Sequence, residues 1–162
     1  MSTPEVTPKL TDNVMSTTLY ETDFYAWTQL QTRLLRHHQW QHLDLPNLME
    51  EIESLGKQQQ RELRSRLAIL TGHLLKWEYQ PQRRSRSWLA TLKIQRLEIA
   101  DLLEDSPSLK AYLEAAIQKA YLKAVTLAAA ETGLPEESFP PTCPYDLAVL
   151  LDSKFYLATP AI

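Results

Sequence analysis

The sequence holds one cysteine, three glycines and no unbroken stretch of apolar residues long enough for a bilayer. Cys143 therefore closes no disulfide within the chain, and no Cys/His cluster has zinc-ligand spacing. The core must rest on packing alone, and a reducing cytoplasm is the expected compartment. A membrane span needs roughly 18 apolar residues, and the opening MSTPEVTPKLTDNVMST lacks the basic start and apolar middle of a signal peptide, so neither insertion nor export is expected. Neither sign of charge dominates: 17 basic residues face 20 acidic ones, a net charge of −3, which argues against a wholesale nucleic-acid or anionic-membrane coat. G-x-S-x-G, a phosphate-cradling glycine loop and H-E-x-x-H are all missing from the sequence, which leaves the common hydrolase, nucleotide-binding and zinc-protease mechanisms without local support. An enzyme is unsupported, and no cofactor is implied.

What is present is a helical chain. Its 162 residues are 44% apolar, enough for a sizeable core in one domain. Of ten prolines, most stand in the first eight residues or after 134, leaving 47–80 and 82–106 free of them. Residues 1–18, rich in Ser, Thr and Pro, bury too little to offset the entropy of ordering and read as a disordered tail. From Tyr20, the residues Phe24, Trp27, Leu30, Leu34 and Leu35 recur at helical steps towards His38. Asp44 and Pro46 then open a second helix, 44–79, with Leu48, Ile52, Leu55, Leu63, Leu67, Leu70, Leu74 and Trp77 along it. Such a rod is on the order of 54 Å long. Its waist, GKQQQRE, has no apolar side chain, and Gly56 costs about 1 kcal/mol there, so a kink at Gly56 is the favoured relief. Residues 80–87 form a link in which Ser85 or Ser87 caps a third helix bearing Trp88, Leu92, Ile99, Leu102 and Leu103. Ser106-Pro107 opens a fourth helix, faced by Leu109, Leu113, Ala116, Ala120, Ala124 and Leu127 and stopped at Gly133. The remainder should wrap the bundle with a short helix near 145–152.

The words EEIESLG (50–56), HLLKWEYQPQRRSRSW (73–88), LLEDSPSL (102–109), AAAETGL (128–134) and FPPTCPYDLAVLLD (139–152) together resemble a largely bacterial family catalogued as domain of unknown function twenty-nine. The resemblance runs from about Leu19 to Phe155. It implies an all-helical cytoplasmic domain and brings no activity, cofactor or catalytic residue with it.

Two charged segments could carry chemistry. Between Lys76 and Arg96 stand six basic residues, Lys76, Arg83, Arg84, Arg86, Lys93 and Arg96, against Glu78 alone, a net of +5. Interleaved with Tyr79, Ser85, Ser87 and Trp88, they offer forks and flat faces to a polyanion. The competing account is that these arginines cover the tryptophans and serve a helix C-terminus. Asp44, Glu50, Glu51 and Glu53 form the acidic counterpart. Glu50 and Glu53 share a helix face and suit a hard cation, although charge runs are more often solvated faces. A metal-assisted hydrolase would need them beside His73, which shares a face with Leu70 and Trp77 and reads better as a hydrogen-bonded core histidine. His37, His38 and His42 suit a helix C-terminus, and Cys143, held between prolines, reads as a packing residue. The acidic start and basic end of 44–79 also suit pairing between copies. Trp27, Trp77 and Trp88 should anchor helix junctions, and Trp40, in a polar link, becomes a partner contact if it stays exposed.

These observations predict an all-α bundle of four principal helices over 19–157, with tails at 1–18 and 158–162. The leading expectation is a non-catalytic protein-interaction or self-association module, including a homodimer. Polyanion binding through Lys76, Arg83, Arg84, Arg86, Trp88 and Lys93 comes second, and metal-assisted hydrolysis by Glu50, Glu53 and His73 third.

Overall fold

Prolines, caps and one left-handed glycine set most of the helix boundaries. The computed structural model describes residues 9–155, and these are all-α: α1 (Lys9–Thr22), α2 (Phe24–Arg36), α3 (Leu45–Tyr79), α4 (Arg86–Asp105), α5 (Leu113–Thr132) and α6 (Leu147–Leu151), joined by short 3-10 turns. The chain divides into two compact units, Met1–Lys57 and Gln58–Ile162. Helix α3 contributes to both.

In the first unit, the helix expected to begin at Tyr20 starts later. The Asp23 side chain accepts from the Ala26 N–H at 3.0 Å and caps α2, while Tyr20 belongs to α1. Helix α1 occupies part of the segment read as a disordered tail. Ser16 is buried there, and its Oγ accepts from Gln31 Nε2 at 2.8 Å. The rest of that segment, 1–8, and the C-terminal tail, 158–162, lie outside the described residues. Gln31 Oε1 accepts from the Asp44 N–H at 2.9 Å, and Asp44 Oδ2 accepts from Trp27 Nε1 at 3.0 Å and Asn47 Nδ2 at 2.8 Å. Polar groups this deeply buried are stable because each finds a partner. Tyr20, Phe24 and Trp27 pack their rings 4.9–5.8 Å apart. Helix α2 ends with His38 at φ 57°, a left-handed position, and the Gln39 N–H reaches the Leu34 carbonyl at 2.9 Å, as in a helix-terminating turn.

Pro46 sits in the first turn of α3, where a missing N–H costs nothing. The helix then passes unbroken through Gly56, so no interruption relieves the polar waist; Gly56, Lys57, Gln58 and Gln59 are simply exposed.

The second unit holds the large core. Leu63, Leu67, Leu70 and Leu74 of α3, with Leu92 and Ile99 of α4, are fully buried. Ala116, Ala120, Ala124 and Ala128 line the buried face of α5. Their small side chains permit close helix approach. A Cβ on Gly72 would stand 2.6 Å from Leu127 Cδ2 and 3.1 Å from the Ala124 carbonyl, so a side chain where α3 and α5 approach would force Leu127 to move. Ser85 caps α4 through the Trp88 N–H at 3.2 Å. Pro107 opens a 3-10 turn, Pro107–Tyr112, before α5 begins. Gly133 ends α5 at φ 75°. The C-terminal segment is fastened by hydrogen bonds from Tyr145 Oη to Glu78 at 2.6 Å, from Tyr121 Oη to the Pro140 carbonyl at 2.6 Å, and from Arg96 Nε to the Leu150 carbonyl at 2.8 Å.

Candidate interaction surface

Helix α3 opens with a run of apolar side chains at helical spacing. Leu48 is half-buried, but Leu45, Met49, Ile52 and Leu55 are 54–67% exposed. They stand at helical steps on one face. Ile52 and Leu55, which share the helical spacing of Leu63 and Leu67, thus stay exposed, while Trp27 and Asp44 are buried and hydrogen-bonded to each other. Nine of the twelve large apolar residues most exposed among the described residues belong to the first unit, including Trp40 at 54%. Its ring meets His38 edge-on at 5.2 Å.

Acidic side chains border this face. Glu51 Oε1 accepts from Tyr20 Oη at 2.6 Å, a bond that, with the surrounding negative charge, pushes the Tyr20 phenol up to about 12. Glu53 pairs with Lys57 at 3.5 Å, both well exposed, a geometry worth little in water. Glu50 is also exposed. Among the described residues no group of three or more His, Cys, Asp and Glu side chains is placed to hold a metal ion. His73 instead sits half-buried, with Nδ1 3.0 Å from the Ile69 carbonyl. Burial, reinforced by the Lys76 charge, pulls its pKa below the ordinary 6.5.

The basic segment is largely occupied within its own unit. Lys76 is 1% exposed, ion-paired to Glu131, with its ammonium 4.2 Å from the centre of the Trp88 ring. Arg84 donates Nε to the Trp77 carbonyl at 2.8 Å and lies 5.0 Å over the Trp77 ring. Arg96 is buried. Arg83, Arg86 and Lys93 remain exposed, and Trp88 is half-buried. The charge of the segment is thus split between an internal scaffold and three surface cations.

A cleft of about 470 Å³ lies between α5 and the C-terminal segment, lined among others by Glu114, Tyr121, Cys143, Tyr145 and Asp146. Burial pushes the Cys143 thiol above its ordinary value, the opposite of what activates a nucleophile. Burial likewise raises Tyr121 to about 12, and together with the Glu78 bond it raises Tyr145 well above the ordinary phenol. These groups stay protonated and hold the wall together.

No described helix is long and apolar enough to cross a membrane. Comparison with known proteins finds no match among curated proteins and none among solved structures. The family described as Domain of unknown function DUF29 matches residues 19–156, and this chain belongs to it.

Proposed function

We propose that the protein is a non-catalytic protein-interaction module whose docking face is the opening of α3. The observation that carries this reading is the exposed stripe of Leu45, Met49, Ile52 and Leu55. Leaving such side chains in water forfeits about 1.5–3 kcal/mol for each that could be fully buried. Contiguous exposed apolar patches on otherwise well-packed proteins mark interaction sites. The later half of the same helix lies in the fully buried core of the second unit, and no reaction is assigned to it.

The test is a photo-crosslinking side chain placed at Ile52, at Met49 and, as a control, at exposed Lys119, followed in the cells that make the protein. Discrete adducts are expected from positions 52 and 49 and not from 119, and Leu55→Asp should remove them without altering the far-UV spectrum. Equal adduct yields at 52 and 119 would sink the reading. Light scattering at low and high salt then separates self-association from a different partner: a salt-insensitive dimer broken by Leu55→Asp identifies a second copy.

A further inference from the structure

We infer that the occupant of the α3 face is a basic amphipathic helix, an inference that rests on the docking face proposed above. The face itself is shaped for a helix. Leu45, Met49, Ile52 and Gly56 follow one another at steps of four, three and four, the spacing at which one helix packs along another. A side chain added at Gly56 would meet nothing within 4 Å, so the bare backbone at this end of the stripe lets a partner helix come close. Met49, unbranched and polarisable, adapts to the shape of what covers it. From Leu45 to Gly56 the stripe is roughly 17 Å long at 1.5 Å per residue, the reach of a partner helix of about three turns.

The charge around the stripe selects the partner's sign. At about 100° per residue, Glu53 lies about 40° beyond Met49 on one flank, and Glu51 about 40° beyond Leu55 on the other. Both edges of the apolar strip are therefore acidic. Only one oxygen of Glu51 is engaged by Tyr20, and the exposed Glu53–Lys57 pair is weak enough to exchange for a cation supplied from outside. Residues 1–57 carry eight acids and four bases, a net of −4, while 58–162 carry twelve acids and thirteen bases, a net of +1. Two copies paired through this face would bring the Glu51 and Glu53 margins of one against those of the other, and juxtaposed like charges suppress a partner. A helix with leucines along one side and lysines or arginines beside them satisfies both the apolar strip and its acidic margins.

The experiment titrates the full chain with two synthetic 14-residue helices sharing one leucine pattern, flanked by lysine in one and by glutamate in the other, and reads fluorescence anisotropy. The lysine-flanked helix is expected to bind at least about tenfold more tightly, with affinity falling as salt rises. Ile52→Asp should abolish that binding. Glu51→Gln with Glu53→Gln should weaken it severalfold and flatten its salt dependence, with the thermal midpoint of the chain serving as the control for folding. Equal binding of both peptides overturns the basic partner while leaving the docking face in place. A chain that ignores both peptides but forms dimers broken by Ile52→Asp overturns it in favour of a second copy. Lysine-peptide binding that survives Ile52→Asp places the site elsewhere and removes both readings.

Discussion

Helix α3 carries one apolar pattern along its length, and its two halves meet opposite fates. Leu63, Leu67, Leu70 and Leu74 are fully buried under α4 and α5, whereas Leu45, Met49, Ile52 and Leu55 are more than half exposed. Periodicity specifies which side of a helix is apolar; it does not specify what covers that side. In the second unit the cover comes from within the chain. In the first, Trp27 and Asp44 take buried positions, and Leu45, Met49, Ile52 and Leu55 stay exposed.

The largest test of this contrast is a matched truncation. Leu70→Ala should cost about 2–5 kcal/mol in urea unfolding, as cavity-forming changes in a closed core do, and Ile52→Ala should stay within about 0.5 kcal/mol. A comparable loss at Ile52 would mean that the isolated chain already covers its stripe. The second test compares charges. Glu131→Gln leaves the buried Lys76 ammonium without its anion and should cost about 1–3 kcal/mol, whereas Glu53→Gln should be close to neutral. Replacing Lys76 by Met, which keeps the volume and removes the charge, should recover much of the first loss.

The glycines sharpen the comparison further. Gly72→Ala forces a methyl against Leu127 and the Ala124 carbonyl, so about 1–3 kcal/mol of overpacking should outweigh the gain in helix propensity. Gly56→Ala meets nothing and should raise stability by about 0.5–1 kcal/mol in the free chain, while weakening any partner that approaches the backbone there. The smallest effect concerns pH. Because the fold lowers the His73 pKa, the unfolded chain takes up a proton first. Stability should therefore be level above about 6.5 and decline as pH falls from there through the folded value. His73→Gln should remove that decline, as read by urea midpoints across the range.

Much of the architecture is legible because its boundaries have local causes. Pro46, Ser85 and Gly133 act through their own backbone or a neighbour one turn away, and the structure uses each near the place the sequence indicates. The break at Asp23 and the helix before it are less visible. Their order depends on Ser16, Gln31 and Asp44 meeting across 13–15 residues, and a hydrophobic pattern does not register polar residues that are buried in pairs. The charged segment shows the same limit. Lys76 finds its carboxylate 55 residues away and Arg96 its carbonyl 54 residues away, so a local charge count treats them as surface cations. One signal was available for Arg96, which stands four after Leu92 and three before Ile99, on the apolar side of α4. The exposed half of the α3 stripe repeats the helical spacing of the buried half, so periodicity alone does not tell the two apart.

The hydrogen bond from Tyr145 to Glu78 joins residues 67 positions apart, and this separation bears on the order of assembly. The polar links of the first unit between α1, α2 and α3 span 13–31 residues. Closing the longer loop costs roughly 1 kcal/mol more in chain entropy, since each doubling of length adds about 0.6 kcal/mol. Contacts at short separation also form fastest. During synthesis, the first unit and its exposed apolar strip can therefore be in place while the segment that seals the second core is still being made.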